Sequence, residues 1–243
     1  MAESDELQSS GSRGVSDTSI SRSQRLIYVV LRVFAVGLAK VYFRVELTGT
    51  RNLPPSGGYI IAPAHRSNLD AVLIQVVTRR MIRLMGKDSL WKAGRFWSWL
   101  LTGLGGFPVA RGTADRLALR TAQHLLEQGE PVVLFPEGTR QSGPVIQALF
   151  DGPAFLASRT GVPIIPVGIG GSEAAMGKGA KLPKPRKITF VFGAPLLPPE
   201  REGGRAPRRQ VQELTAELHG RVQEVFDDAQ RSAGQPVPAG DEA

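Results

Sequence analysis

The sequence contains no cysteine, which excludes disulfide cross-links, thiolate zinc sites and a cysteine nucleophile. Histidine is scarce, with only His65, His124 and His219 in the chain. These three are far apart and lack the spacing of a metal site, so no metal centre is predicted. A G-x-S-x-G nucleophile elbow is also missing, so any histidine base would have to act directly on a substrate hydroxyl.

No long uncharged apolar run is present, whereas a membrane-spanning helix needs about 20 such residues. The most apolar stretch, residues 24–43, is interrupted by Arg32 and Lys40. Its cations could reach the headgroups from a helix that lies in a membrane surface. The alternative is an ordinary core helix packed against the domain. Residues 21–48 are predicted to form a membrane-associating helical region.

Both ends of the chain have the composition of disordered tails, at residues 1–20 and 232–243. Between them, residues 49–231 alternate short apolar runs with helical patterns, which favours a single α/β domain with a mixed sheet flanked by helices. The predicted strands cover residues 59–62, 82–85, 107–110, 132–135, 164–167 and 188–192. The predicted helices cover residues 70–78, 114–127, 150–160 and 208–231.

The formal net charge is +8, and five cations without an acid fall within residues 178–187. A basic surface attracts nucleic acid, anionic lipid headgroups or phosphate-rich molecules such as coenzyme A. Nucleic-acid binding is not predicted, because no recognised binding module accompanies the charge. Lipid binding, contact with coenzyme A phosphates and a solvated basic face all stay open.

The segment HRSNLD at residues 65–70 follows a predicted strand and opens a predicted helix. Ser67 or Asn68 is suited to cap that helix. Inside one helix, His65 and Asp70 would lie about 140° apart around the axis and could not pair. A turn before the helix lets the carboxylate fold back to the imidazole and form a general base. The spacing alone also fits a structural histidine near a helix start.

The segment FPEGTR at residues 135–140 follows a second buried-strand pattern. Arg140 offers a planar guanidinium that matches phosphate, and Gly138 lets backbone N–H groups come close to it. Glu137 is expected either to hold Arg140 in position or to bind a substrate hydroxyl. A surface turn with an ion pair would explain the two charges but not the whole segment.

These two segments resemble the first and third motifs of the glycerolipid acyltransferases, specifically the 1-acyl-glycerol-3-phosphate acyltransferases. GFPVAR at residues 106–111 is similar to the second motif, and VPIIPV at residues 162–167 resembles the fourth. All four stand in the order of the family. The resemblance implies a fold like that of the glycerol-3-phosphate acyltransferases, preceded by a membrane-associating helical region.

The resemblance also implies a one-step reaction. His65, oriented by Asp70, would take the proton from the free hydroxyl of 1-acyl-glycerol-3-phosphate (lysophosphatidic acid). That hydroxyl would attack the thioester of acyl-CoA or an acyl carrier protein and give phosphatidic acid. The thioester is a co-substrate, and no bound cofactor or metal is implied. The implied substrate-binding residues are Lys87, Arg111, Glu137, Gly138, Thr139, Arg140 and Pro166.

The implied location is a membrane surface on its cytoplasmic face, where the enzyme would contact membrane phospholipids. One departure concerns residues 150–152, which read Phe-Asp-Gly where family members often carry a lysine after the phenylalanine. Asp151 near an anionic acceptor would be repulsive, so it either points away or indicates a different headgroup. The alternatives are an acyltransferase with another acceptor, such as glycerol-3-phosphate or a non-phosphate lipid, and a non-catalytic lipid-binding protein.

Overall fold

A computed structural model of the chain describes residues 21–78, 80–109, 116–199 and 207–237. Its α-helices are α1 Arg22–Val41, α2 Asn68–Val77, α3 Arg95–Gly103, α4 Arg116–Glu127, α5 Gly152–Thr160, α6 Ser172–Met176 and α7 Arg208–Ser232. Its strands are β1 Glu46–Thr48, β2 Ile60–Pro63, β3 Arg83–Lys87, β4 Gly106–Val109, β5 Val132–Val133, β6 Ile164–Gly170 and β7 Thr189–Phe192. Short 3-10 helices cover Thr50–Asn52 and Asp88–Ala93.

The described strands form one sheet in the order β1-β7-β6-β2-β5-β3-β4. Neighbouring strands are parallel except β6 and β7, which are antiparallel. The predicted mixed sheet flanked by helices is therefore confirmed. In the centre, Ile60 of β2 lies opposite both Ile164 of β6 and Val132 of β5. The carboxyl ends of these three strands lie side by side, where α/β sheets bind their ligands.

Side chains of the central strands alternate between two apolar layers, as expected for strands that are covered on both faces. Ile60 and Ala62 point into the layer that contains α4, α5 and α7. Tyr59 and Ile61 point into the opposite layer, which contains residues of α1, α2 and α6. The site at the strand ends is thus supported by helices on both sides of a rigid sheet.

Helix α7 packs closely across β6, and its buried face contains the predicted apolar stripe: Val211, Leu214, Leu218, Val222 and Val225. Glycines in β6 allow this close approach. A Cβ atom at Gly168 would collide with the carbonyl oxygen of Val225, and one at Gly170 would collide with that of Ala229. Both positions therefore require glycine.

Helix α1 packs on the domain with one side. Ser21 caps the helix, since its Oγ accepts a hydrogen bond from the Gln24 N–H at 3.3 Å. The Gln24 side chain also donates to the Trp99 carbonyl in α3, and the Arg32 guanidinium donates to the Thr78 carbonyl after α2. Within the described residues, no helix is both long and apolar enough to cross a bilayer.

The structure differs from the prediction where an element is too short to show a pattern. Residues 21–48 are not helical throughout, because β1 joins the sheet edge parallel to β7 with Glu46 N bonded to the Ile188 carbonyl at 3.1 Å. The three residues of β1 are exposed and cannot display alternation. Helices α3 and α6 were not predicted either; α6 has only five residues.

Several boundaries also differ. Strand β5 ends at Val133 rather than at residue 135, because the chain leaves the sheet to form the site. Helix α7 continues to Ser232, and Gln235 N still donates to the Gln230 carbonyl, so the predicted tail at 232–243 begins within the helix end. The tail predicted at residues 1–20 and the last six residues lie outside the described residues.

Candidate active site

The two segments predicted to carry chemistry leave the sheet side by side. Strands β2 and β5 are parallel neighbours, with Ile61 opposite Val133. Residues 65–70 follow β2 and residues 135–140 follow β5, so both reach the same edge. A backbone hydrogen bond joins the two loops, because the Gln141 N–H donates to the His65 carbonyl at 2.9 Å.

Asp70 folds back to His65 across the start of α2, as the spacing predicts. Ser67 is the N-cap residue, and its Oγ accepts a hydrogen bond from the Leu69 N–H at 3.1 Å. The Asp70 Oδ2 atom accepts from the Ser67 N–H at 2.7 Å and lies 3.1 Å from His65 Nδ1. A carboxylate at Nδ1 fixes the tautomer whose proton is on Nδ1 and leaves Nε2 as the basic nitrogen.

The imidazole of His65 is held on a second side by the neighbouring loop. The Phe135 ring stacks on it with 3.9 Å between centroids and 27° between planes. The His65 backbone N–H donates to Glu137 Oε2 at 3.1 Å. The side chain is 16% exposed while that of Asp70 is fully buried, so only the imidazole is open to a substrate.

Glu137 is buried, and protein groups occupy both of its carboxylate oxygens. Arg66 Nη1 lies 3.0 Å from Oε1 and 2.8 Å from Oε2. The Gln147 N–H donates to Oε1 at 3.1 Å, in addition to the His65 bond at Oε2. The prediction that Glu137 holds Arg140 is therefore wrong, because its partner is Arg66. The other prediction, that Glu137 binds a substrate hydroxyl, stays a prediction, although protein groups already bond both oxygens.

Besides Glu137, the Arg66 guanidinium contacts three backbone carbonyls and one aromatic ring. It donates from Nε to the Gly143 carbonyl at 2.9 Å, from Nη2 to the Val145 carbonyl at 3.0 Å and from Nη1 to the His65 carbonyl at 3.1 Å. Its Cζ lies 4.9 Å from the centre of the Phe226 ring of α7. The Arg66 side chain is only 1% exposed, so these bonds form in a dry interior.

Sequence reasoning assigned no role to Arg66, although the residue stands inside the HRSNLD segment. The signal that points to it is a pair of opposite charges, Arg66 and Glu137, each a few residues beyond a buried strand. Because β2 and β5 are parallel neighbours, such charges meet at the sheet edge. The strand order is needed to see this, and it is not evident from spacing along the chain.

The phosphate-binding residues predicted in FPEGTR lie on a tight turn. Gly138 has a φ of +69° and its N–H donates to the Phe135 carbonyl at 3.0 Å. A Cβ atom there would come within 2.6 Å of the Phe150 ring, so only glycine fits. Thr139 is exposed and Arg140 is half-buried. Among the described residues, no protein acceptor bonds the Arg140 guanidinium, which is therefore available to an anion.

The other predicted substrate-binding residues are more dispersed. Lys87 is the last residue of β3, the strand that pairs with β5 on the side away from β2. Arg111 lies outside the described residues. Pro166 is buried in β6, opposite Ala62, and packs near Gly193. The predicted roles of these residues in binding substrate stay predictions.

Asp151, the residue that departs from the family pattern, is bonded to α7. Its Oδ1 accepts a hydrogen bond from the Thr215 hydroxyl at 2.8 Å. Asp151 is also the N-cap residue of α5, although its side chain makes no capping bond. The carboxylate is thus committed to the helix layer, as expected if it points away from the acceptor.

An apolar cavity of about 430 Å³ lies between α1, α2, α3 and the strands β3 and β4. Ala71, next to Asp70, contributes to its wall, and Pro166 does not. Trp91 lies against the backbone at Gly86 and Gly106, where a Cβ atom would come within 2.7 and 3.1 Å of the indole. Burial raises the pKa of the Tyr28 hydroxyl in this wall, while the nearby Arg32 acts in the opposite direction. The cavity has the size of a small-ligand site.

Comparison with known proteins identifies the class of this site. The family model described as Acyltransferase matches residues 44–170, which include both loops, and the chain belongs to this family. Human 1-acyl-sn-glycerol-3-phosphate acyltransferase alpha is 30% identical over 142 residues, which are 57% of this chain and 50% of the human protein. The chain spans about half the length of the mammalian relatives that it matches.

Two bacterial proteins match over more of their length. The 1-acyl-sn-glycerol-3-phosphate acyltransferase of Bacillus subtilis (strain 168) is 27% identical over 183 residues, which are 74% of this chain and 87% of that protein. The crystal structure of the 1-acyl-sn-glycerophosphate (LPA) acyltransferase PlsC from Thermotoga maritima superimposes with a TM-score of 0.64 at 23% identity. The superposition covers 86% of this chain and 85% of the PlsC chain, which establishes the shared fold.

Proposed function

We propose that this protein transfers an acyl group from an acyl thioester to the free hydroxyl of 1-acyl-glycerol-3-phosphate, giving phosphatidic acid. The observation that carries this proposal is the pairing of His65 with Asp70 at the strand edge where Arg140 also lies. A base and a phosphate-binding cation on joined loops match an acceptor that has a hydroxyl and a phosphate. The names of the human and Bacillus subtilis relatives support the same acceptor.

His65 Nε2 would act as the general base. The proton of the acceptor hydroxyl moves to Nε2 as the hydroxyl oxygen attacks the thioester carbonyl carbon, and the carbon–sulfur bond then breaks. The departing thiolate takes the proton from the imidazolium. Asp70 stabilises that imidazolium and keeps the ring in one tautomer through the 3.1 Å contact with Nδ1.

The acceptor phosphate would bind at the turn that contains Gly138, Thr139 and Arg140. The guanidinium of Arg140 forms paired hydrogen bonds with phosphate oxygens, and the Thr139 hydroxyl offers one more donor. Lys87 and Arg111 are proposed to contribute further positive charge. Glu137, which precedes this turn, would help to position it, because Arg66 holds the Glu137 carboxylate in place.

The acyl chain of one substrate would occupy the apolar cavity behind α2. The cavity wall includes Ala71, the residue after Asp70, so the cavity begins one helix position from the catalytic pair. Apolar walls favour a hydrocarbon chain because burial removes its surface from water. The donor is proposed to be acyl-CoA or an acyl carrier protein.

Helix α1 is proposed to lie in a membrane surface, where both lipid substrate and lipid product reside. One side of the helix packs on the domain, yet the opposite side exposes several apolar side chains: Leu26, Val29, Val30, Val33 and Val41. Exposed apolar area of this extent is typical of an interface. The cytoplasmic face is proposed from the resemblance to the glycerolipid acyltransferases.

The experiment is acyl transfer from a labelled acyl-CoA in detergent micelles, with lysophosphatidic acid, glycerol-3-phosphate and monoacylglycerol as parallel acceptors. Product from lysophosphatidic acid at the highest kcat/KM supports the proposal. A higher kcat/KM with another acceptor would overturn the substrate assignment but keep the reaction. Absence of product with every acceptor, and with an acyl carrier protein as donor, would overturn the reaction itself.

A further inference from the structure

Residues 177–187, here named the basic loop, connect α6 to β7 along one edge of the domain. The loop contains five cations and no acid. Lys187 pairs with Glu46 at 2.8 Å, whereas Lys178, Lys181, Lys184 and Arg186 are exposed. Among these cations stands Leu182, whose side chain is 79% exposed. A single exposed leucine is common on protein surfaces, so the meaning of Leu182 depends on its charged neighbours and on what the loop adjoins.

The basic loop is fixed to the end of α1. The Tyr42 hydroxyl, one residue after the helix, donates to the Pro183 carbonyl at 2.9 Å. The Ile188 N–H donates to the Phe43 carbonyl at 3.0 Å, which fixes the end of the loop. Val41, the last residue of α1, is 83% exposed. The end of α1, where Val41 is exposed, is therefore tied to the loop that contains Leu182.

The other end of the basic loop touches the catalytic segment. The Ser67 hydroxyl donates to the carbonyl of Met176, the residue just before the loop, at 2.6 Å. Ser67 caps α2 and lies two residues after His65. The loop thus extends from the edge of the catalytic site to the end of α1.

We propose that the basic loop and the end of α1 form a second contact with an anionic bilayer, which holds the entrance to the His65 site against the membrane surface. This inference rests on the proposed membrane function of α1. Leu182 and Val41 would enter the boundary of the acyl chains, while Lys181, Lys184 and Arg186 stay at the lipid phosphates. The cations of the basic loop would also suit an acidic protein, but such a partner would leave the exposed apolar side of α1 unexplained.

The test measures binding of the full chain to sedimented vesicles of phosphatidylcholine with and without phosphatidylglycerol. The variant Lys181→Ala/Lys184→Ala/Arg186→Ala removes three exposed cations. Each cation near an anionic surface contributes roughly a factor of five, so binding to the anionic vesicles should fall roughly a hundredfold. Binding to neutral vesicles should change little, because the apolar contacts are retained.

The matched control removes the same charge from the first half of α7, away from the basic loop, in the variant Arg208→Ala/Arg209→Ala/Arg221→Ala. Arg208 is exposed, and the side chains of Arg209 and Arg221 are at least half exposed. The loss of binding to anionic vesicles in this control should be less than a tenth of the loss in the loop triple variant, since its cations lie away from the proposed surface. Equal losses in the two triple variants would overturn the proposal, because net charge alone would then explain binding.

A second variant tests the apolar part. Leu182→Ser should lower binding to both kinds of vesicle several-fold, because it removes apolar area from the lipid contact. Unchanged vesicle binding in Leu182→Ser and in the loop triple variant would overturn the proposal. The proposal would also be overturned if the variants lost affinity for an acyl carrier protein while vesicle binding stayed unaltered. That result would assign the loop to a protein partner.

Activity in neutral detergent micelles separates this inference from the proposed function. The loop triple variant should keep wild-type kcat with lysophosphatidic acid in micelles, because no catalytic residue is altered. If the wild type is inactive in micelles while the vesicle results hold, the proposed function fails and the membrane contact stands.

Discussion

Arg66 and Glu137 form a buried ion pair, with 2.8 Å between Nη1 and Oε2, that joins the histidine loop to the arginine loop. Each partner also bonds His65: Glu137 accepts from its N–H, and Arg66 donates to its carbonyl. His65, the proposed base, is thus fixed by the backbone on both sides. We assign Glu137 and Arg66 as positioning residues, which act on substrate only through the loops that they hold.

Glu137→Gln should lower both the free energy of unfolding and kcat. The substitution leaves the Arg66 charge buried without a partner, and breaking a buried pair costs about 3 kcal/mol or more. The double variant Arg66→Met/Glu137→Gln should lose less stability than the sum of the single variants, because the unpaired charge is gone. Urea unfolding and steady-state kinetics measure the two effects.

A direct substrate-binding role for Glu137 makes a different prediction. In that case Glu137→Gln would raise the KM for the acceptor while the urea midpoint stayed at its wild-type value. Arg66→Lys extends the comparison, because lysine keeps the charge but cannot bond Gly143, Val145 and Glu137 together. The free energy of unfolding of Arg66→Lys should lie between that of wild type and that of the single variant Arg66→Met.

Arg140→Ala should raise the KM for lysophosphatidic acid roughly tenfold to a hundredfold, because a hydrogen bond to a charged group contributes about 1.5–3 kcal/mol. Stability should hardly change, since the guanidinium bonds no acceptor among the described residues. Kinetics with monoacylglycerol provide the control, because an acceptor without phosphate should be insensitive to the substitution. Equal losses with both acceptors would exclude a phosphate contact at Arg140.

Ala35→Phe should shorten the acyl chain that the enzyme accepts. Ala35 lines the apolar cavity from α1, and a phenyl ring there would fill part of the 430 Å³. The kcat/KM for long acyl donors should fall more than that for short ones. Leu26→Phe adds a ring to α1 away from the cavity and should leave the chain-length profile unchanged. A parallel shift in both variants would assign the effect to the helix surface rather than the cavity.

Asp151→Asn should leave the kcat/KM for lysophosphatidic acid within about twofold of wild type, because surface changes away from a site have small effects. Its carboxylate is bonded to the Thr215 hydroxyl on α7 rather than to the arginine loop. Thr215→Val, which removes the same bond from the other side, is the matched control. A marked gain of activity in Asp151→Asn alone would show that the carboxylate repels the acceptor.

The long elements of the fold could be predicted because their patterns repeat. The apolar stripe of α7 extends over several turns, and the central strands are continuous buried runs between turns. The elements that were not predicted are short: three residues of β1 and five of α6 cannot display a period. Their positions depend on tertiary contacts, such as the bond between Glu46 and the Ile188 carbonyl.

The pairing of His65 with Asp70 could be predicted because both residues belong to the start of one helix. His65, the cap and Asp70 lie within six residues, so local geometry settles how they meet. The pairing of Glu137 with Arg66 could not be predicted, because Arg66 is 71 positions away in sequence. The two residues meet only because of the order of the strands. The location of the cavity depends on how α1 and α3 pack, which motifs do not encode.

The proposed role of His65 as the base for acyl transfer can be tested directly. The most direct measurement compares wild type, His65→Ala and His124→Ala in transfer from labelled acyl-CoA to lysophosphatidic acid, with unfolding curves for all three. His124 is exposed on α4 and serves as the matched histidine control. We expect wild-type rates for His124→Ala and a loss of roughly a hundredfold or more for the folded His65→Ala variant. Transfer by His65→Ala at the wild-type rate would show that His65 is not the base.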